Sequence, residues 1–588
     1  MRSLFMRPTP RLAALLLVAS SVFAACGRGA TPRAGAAPAP TTMSPPSISP
    51  DARLLEMVDQ RRMDTALVDV LLADSSGTRR ARTALAIGQS RIRLRYPRLR
   101  QLLVDGDTAI AANAAYALGI ARDYESVPAL ARAVMGAPDA VAREAAWALG
   151  EMGEMGRPVI LQALGEGAAS PVAQSPVAAR APAVRAAMVL ATVKLRNAPM
   201  ALVTPWLGDP APEVVRAAAY VVARLRAPGG VRAMLAVSAH PDEEVRQAVA
   251  RALARSAAGD SLAVRAREPL RSLLRDASER VRVNAVQGAA SYGTAFAEEL
   301  DALWRDPARN VRVALAEAFA EVGARDLARW QRGWDADTTL AVRRLLLQHA
   351  RRANLPLFGG IEAQWARHPD WRYRVAALGT AERGAPIDSA LARALADDAD
   401  RRVQREARAR LGVRDASATT GPRSSAPVPR PLDEYEQLVQ RYWRPGAPPP
   451  MAFIDTEQGT ITLELFAAEA PLVVEAFTRL ARAGKYRNTI FHRVVPNFVV
   501  QDGDLSQGDG EPEPPFSLRE SWTRRRHGRG CLGLATAGPD TGGSQYYLCH
   551  STQPHLDGGY TVFGRVIDGF DVMDRLVQGD RMVQVRVP

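Results

Sequence analysis

Arg493 heads the run Phe491-His492-Arg493-Val494-Val495-Pro496-Asn497-Phe498-Val499-Val500-Gln501, and an acidic turn, Asp502-Gly503-Asp504, closes it. Alternation with period two puts Arg493, Val495, Asn497, Val499 and Gln501 on one side. Pro496 and Asn497 interrupt that regularity, so the strand is expected in two pieces. A charged donor and an amide at the two ends of an apolar patch suit an apolar ligand with a polar backbone, and a prolyl peptide is one such ligand. An ordinary buried strand with polar ends has the same pattern, and this segment alone leaves both readings open.

The chemistry open to a prolyl ligand is rotation about its peptide bond. The barrier is about 18–20 kcal/mol, because nitrogen donates its lone pair to the carbonyl. Left alone, an X–Pro bond takes on the order of tens to hundreds of seconds to isomerise. A fixed cation that hydrogen-bonds the prolyl nitrogen does so only as the bond twists and the lone pair is released, which is selective stabilisation of the transition state. Arginine suits that task because its guanidinium stays charged and presents rigid donors.

A second segment, residues 535–549, reads Ala-Thr-Ala-Gly-Pro-Asp-Thr-Gly-Gly-Ser-Gln-Tyr-Tyr-Leu-Cys, and Leu556-Asp557-Gly558-Gly559-Tyr560-Thr561-Val562-Phe563-Gly564 follows. Together with the Arg493 run these motifs resemble the cyclophilin family of peptidyl-prolyl isomerases, over about residues 450–588. Gly459-Thr460-Ile461, Ala470-Pro471 and Gly569-Phe570-Asp571 support the match. The resemblance implies that Arg493 is the catalytic donor and that Gln501 holds the substrate backbone. It places Phe498, Val499, Tyr547 and Leu556 around the proline ring and gives Thr536 main-chain contacts to the preceding residue. His492, Ala535, Gln545, His555 and Tyr560 complete the groove. Val499 stands where the family usually has methionine, Thr536 where it has asparagine, Tyr547 where it has phenylalanine, and Asp502 where it has glycine. No cofactor is implied, and no Cys/His cluster has metal-ligand spacing.

The elements that must position these residues are short strands and glycine turns. Residues 451–456 and 459–466 alternate as a hairpin, and Pro471 opens a helix to about residue 483. The resemblance implies a closed antiparallel eight-stranded barrel with a helix at each end. Cys531 and Cys549 fall on two of its strands; antiparallel pairing would bring them together, as a disulfide or as two buried thiols.

Residues 51–413 precede this domain and carry an internal repeat. Arg185, Arg216, Arg246, Arg282, Arg312, Arg343, Arg374 and Arg405 recur about every 31 residues inside alanine-rich amphipathic segments. An aspartate, often beside proline, precedes most of them and suits a helix N-cap; Leu-Gly pairs such as Leu118-Gly119 and Leu149-Gly150 suit a left-handed C-cap. The pattern resembles HEAT-like repeats and implies an all-α solenoid. The repeating arginines are expected to bond the aspartate of their own or an adjacent unit. A Pro/Ser-rich linker with a short helix, residues 414–449, joins the two parts.

The N-terminus reads as a targeting segment. Arg2, Arg7 and Arg11 precede an apolar run, Leu12 to Phe23, too short to span a membrane. Phe23-Ala24-Ala25-Cys26-Gly27 resembles a bacterial lipobox, which implies a signal peptide over residues 1–25 and lipidation at Cys26; a plain secretory signal is the alternative. Residues 26–50 form a flexible tether. Gly27 is not aspartate, which favours the outer membrane facing the periplasm. The formal net charge is +14 over 588 residues, almost all from arginine, with Lys194 and Lys485 the only lysines. No basic patch is interleaved with aromatics, which argues against nucleic acid. The function expected is prolyl isomerisation of exported or envelope proteins, with a protein partner or client on the solenoid. The alternative is a scaffold whose last domain only binds proline-containing peptides.

Overall fold

The computed structural model describes residues 48–588 apart from 93–95, 169, 171, 227, 323–325, 381–385, 414–429 and 509–515. The expected leader, Cys26 and nearly all of the tether lie outside the described residues, as does much of the Pro/Ser stretch after residue 413.

Alanine-rich segments form helices because alanine carries little side-chain entropy and lets neighbours approach closely. Thr108–Ala121, Asp139–Glu151, Pro182–Ala191, Pro212–Leu225, Glu243–Ala252, Glu279–Ala290, Arg309–Val322, Leu340–Arg352 and Trp371–Thr380 stack in succession. Their buried faces form one apolar core from Leu54 to Ala377.

The recurring arginines clasp one unit to the next. Arg282 donates from Nε and Nη2 to Asp306 at 2.7 and 2.8 Å, while Nη1 donates to the carbonyl of Asp276 at 2.8 Å. Asp306 in turn accepts the backbone N–H of Ala308 at 2.8 Å, fixing the turn into the next helix. The same forked geometry joins Arg185 to Asp209, Arg246 to Asp276 and Arg374 to Asp398. Arg216 pairs with Asp242 and Arg312 with Asp337. The acceptor therefore belongs to the adjacent unit. Arg343 departs from the pattern and donates to the backbone carbonyls of Asp337 and Trp334.

The Leu-Gly pairs are not C-caps. Gly119 and Gly150 lie inside their helices. A Cβ on Gly119 would fall 2.7 Å from the Trp147 ring and 2.9 Å from Ala148, so the glycine is required by close helix packing. The left-handed residue after Ala121 is Arg122.

In the C-terminal domain eight strands form one antiparallel sheet: β1 Met451–Thr456, β2 Gly459–Leu465, β3 Arg493–Val495, β4 Val499–Asp502, β5 Cys531–Leu534, β6 Tyr546–Cys549, β7 Val562–Asp568 and β8 Met582–Arg586. Their order is β3-β4-β6-β5-β7-β2-β1-β8. The sheet is a curled half-barrel, which corrects the closed barrel expected from the sequence. β3 is only three residues long, and the chain before it meets the β8 side through a single bridge, Ile490 to Arg581, so no ladder closes the ends among the described residues. Helices Pro471–Arg482 and Phe570–Arg575 pack against the sheet.

One continuous face of the repeats meets this domain. Glu244, Arg280, Asn310 and Arg372 each stand two residues before a recurring arginine. They contact Thr552, the carbonyl of His550, the carbonyl of Asp574 and Glu457 respectively. Earlier units contribute Arg61 to Asp540 at 2.7 Å, Tyr116 to the carbonyl of Thr523, and Glu144 to Arg526. Arg402 reaches the carbonyl of Asn488. Units from one end of the array to the other touch one small domain, so the array curves around it. The fit is close: a Cβ on Gly558, at φ +71°, would lie 2.4 Å from the Trp147 ring.

Asp306 is 4% exposed at its side chain. Arg282→Leu should therefore lower the stability of the repeats by about 3–5 kcal/mol, because it leaves a buried carboxylate without its cation. The urea midpoint of the helical signal checks this; Arg282→Leu/Asp306→Asn should regain part of the loss.

Candidate active site

The Arg493 run folds as a hairpin. Asn497 takes φ +61°, a left-handed conformation that asparagine tolerates, and reverses the chain between β3 and β4. Arg493 pairs with Gln501 and Val495 with Val499 across the two strands. Cross-strand partners share a face, so Arg493 and Gln501, expected on one side of a run in two pieces, meet side by side across the hairpin. Arg493 Nη1 donates to Gln501 Oε1 at 3.3 Å, and Gln501 Nε2 donates to Gln545 Oε1 at 2.9 Å. Arg493 is exposed, lies 5.6 Å from the centre of the Phe498 ring, and makes no ion pair among the described residues.

Beside this pair lies an apolar cluster. Val499, Tyr547, Cys531, Cys549, Val562 and Phe466 form its buried floor, and Phe498, Ala535, Leu556 and Tyr560 are packed against it half-buried. β6 carries Tyr547 opposite Gln501 on β4, so the register that makes the hairpin also brings the cluster to the arginine. Ala535 is held by its N–H to the Gln545 carbonyl at 3.0 Å, and Thr536, next to it, is half-buried. His492 is half-buried beside Arg493, and its backbone carbonyl accepts from Gln578. Burial, followed by the Arg493 charge, keeps the His492 imidazole below its ordinary basicity, while Asp504 and Gln545 act the other way. These contacts bring ten of the expected residues together, and His492 and Thr536 stand beside them as chain neighbours of Arg493 and Ala535. The two thiols are unbonded, with Sγ atoms 3.1 Å apart.

Two supports were not foreseen in the sequence. The first concerns the Tyr547 hydroxyl, which meets His527 Nε2 at 2.9 Å; His527 Nδ1 meets Asp557 Oδ1, also at 2.9 Å. This buried chain satisfies the one polar atom that tyrosine adds to an otherwise apolar floor. The second lies outside the domain. Tyr220, on the helix Pro212–Leu225, places its hydroxyl 2.7 Å from Nδ1 of His555, and the His555 ring stacks on Phe498 with centroids 5.9 Å apart. Burial, then the charges of Arg224 and Arg251, lower the His555 pKa to about 4. Tyr220 was detectable only as an aromatic in an alanine-rich helix.

Directly behind Gln501, the Asp502 side chain is buried, accepting from Thr489 Oγ1 at 3.0 Å and from the Gly503 N–H. Burial raises its pKa from 3.8 to about 8. Between those values the unfolded chain is ionised and the native state holds the proton, so stability falls as pH rises through this window. Asp502→Asn should remove that slope. Chemical denaturation at pH 5 and pH 8 is expected to show the variant gaining on the parent as pH increases.

The geometry agrees with what the chain resembles. The profile described as cyclophilin type peptidyl-prolyl cis-trans isomerase/CLD matches residues 451–587, and that of HEAT repeats matches residues 65–150, 96–181 and 231–320. A peptidyl-prolyl cis-trans isomerase of Helicobacter pylori strain J99 is 44% identical over 132 residues, which are 22% of this chain and 82% of that protein. One from Synechococcus elongatus is 40% identical over 138 residues, 23% of this chain and 94% of that protein. Peptidyl-prolyl cis-trans isomerase B of Bacillus subtilis strain 168 is 39% identical over 137 residues, 23% of this chain and 95% of that protein. Through a C-terminal domain that matches most of the length of these relatives, joined to HEAT repeats, the chain belongs to the cyclophilin-type peptidyl-prolyl cis-trans isomerase family.

Proposed function

We propose that this protein isomerises prolyl bonds in exported or envelope proteins, is held to a membrane through lipid on Cys26, and takes a partner or client on its repeats. The observation that carries the catalytic reading is the Arg493 guanidinium: exposed, without a carboxylate partner among the described residues, and set beside an apolar cluster that includes Phe498. A substrate proline enters against Phe498, Val499, Tyr547 and Leu556. Gln501 and Gln545 fix its backbone, and Ala535 and Thr536 run beside the residue before proline. As the bond twists, the prolyl nitrogen regains its lone pair and accepts an N–H from Arg493. Because that hydrogen bond is made only in the twisted state, it lowers the barrier without tightening the ground state. Val499 reaches less far into the pocket than methionine would, which leaves its floor deeper, and the hydroxyl of Tyr547 is already satisfied by His527.

The repeat face around residues 244, 280, 310 and 372 is occupied by the chain's own isomerase domain. A partner therefore takes another face of the array. The envelope reading rests on the apolar run Leu12 to Phe23 and the Ala24-Ala25-Cys26 sequence after it. More than one acyl chain is needed for stable anchoring.

Arg493→Ala should reduce kcat/KM for an Xaa-Pro peptide by about 100-fold or more, the scale set by loss of a transition-state donor. Exchange of cis and trans signals in a proline peptide, followed by magnetisation transfer with the intact chain, measures this. A peptide that binds the unmodified chain yet exchanges at its spontaneous rate would replace catalysis with simple binding. For the anchor, Cys26→Ala in the full-length chain should move the protein from the membrane fraction to the soluble fraction of an expressing bacterium.

A further inference from the structure

Only about half of the repeat arginines among the described residues form an ion pair, and Arg224, Arg226 and Arg251 are three of those that form none. Their positions place two of them beside the prolyl groove. Arg224 is four residues after Tyr220 on the same helix and so shares its face, and the Tyr220 hydroxyl touches His555. Arg251 is seven residues after Glu244, two helical turns along the same ridge, and Glu244 accepts a hydrogen bond from Thr552 of the isomerase domain at 3.0 Å. The helices Pro212–Leu225 and Glu243–Ala252 pack on each other, and Tyr220 and Glu244 on them touch His555 and Thr552 of the same short stretch.

The charges are felt at that rim. Arg224 and Arg251 both depress the basicity of His555 after burial has done so, and both act on the Tyr220 hydroxyl. Arg224 is exposed, whereas Arg251 is half-buried and partly stripped of water, which lowers its pKa. The acids in the neighbourhood are engaged elsewhere. Glu151 pairs with Lys194, Asp557 is held by His527, and Glu244 faces Thr552 and lies 4.0 Å from Arg216. A half-desolvated cation with no counter-ion is unfavourable, and an anion arriving from outside would relieve it. A substrate leaving the prolyl pocket past His555 would pass this point, at about 3.3 Å per extended residue.

We propose that Arg224 and Arg251 bind an acidic side chain lying within a few residues of the substrate proline, so that the helical repeats supply part of the substrate site. This rests on the isomerase reading. The repeats then select substrates by direct contact at the groove, through a carboxylate rather than through any property of the proline itself.

The test uses the full chain and a family of short peptides carrying Ala, Glu or Lys at one, two or three residues to either side of a single proline, with cis/trans exchange as the readout. At low salt, kcat/KM for the best Glu peptide should exceed that of its Lys counterpart by about tenfold, the scale of a partly desolvated charge contact, and added salt should narrow the ratio. In Arg224→Gln/Arg251→Gln the ratio should fall to near one. Equal values for Glu and Lys peptides in the unmodified chain would overturn the proposal, as would a ratio that survives in the double variant. Should the double variant fail to fold, Arg224→Gln alone, at an exposed position, must at least halve the ratio; an unchanged ratio counts against the proposal. The Ala peptide keeps the two readings apart. Its exchange at the spontaneous rate would fail the isomerase reading, whereas rapid exchange with no charge preference would fail only this one.

Discussion

The clasp between the arginine of one repeat and the aspartate of the next sets the geometry on which the remainder of the molecule is built. Each aspartate does two things: it accepts from the arginine of the preceding unit, in four of the six pairs as a fork, and it caps the turn into its own helix. An exposed ion pair of this kind would contribute little. These are substantially buried and bonded on both sides, so their effect is to fix rotation and spacing between units. Because that spacing repeats, the residue two places before each arginine returns to the same face, and four such residues meet one compact domain in succession. Change the step between units and the contacts from Arg61 to Arg402 no longer fall on a single curved surface.

The site was legible where its residues lie close in sequence and harder to read where the chain turns. Arg493 and Gln501 were marked by type and spacing, and the break at Pro496 and Asn497 was legible, but not that the chain reverses there. A single left-handed Asn497 makes a hairpin and puts them opposite each other, with the same shared face reached by a different route. Closure of the barrel was not legible, because it depends on whether the three residues of β3 meet β8, and no local pattern encodes that. The Leu-Gly pairs misled for a physical reason: glycine serves both a left-handed turn and a close helix crossing. At Gly119 the neighbour that decides between them, Trp147, is in the next repeat.

The docking of the two halves was the least visible part. Its contacts join residues from 85 to 479 positions apart and use the places where a repeat departs from its own pattern. Tyr116, Trp147 and Tyr220 are bulky rings at positions where alanine or valine would satisfy a helix stack, and each faces the isomerase domain. Irregularity within a regular array was the only trace of the interface in the sequence. The consequence for the site is local: His555, on the groove margin, is oriented by a residue that the isomerase fold does not contain.

One residue shows how far the joining goes. Val577 belongs by sequence to the isomerase domain, between the helix Phe570–Arg575 and β8, yet it is 1% exposed and is part of the apolar core of the repeats. The boundary between two families in the chain is therefore not a boundary between two cores. Part of the free energy that keeps each half folded is held in the other, so a stability measured on either half cut free would describe a different molecule.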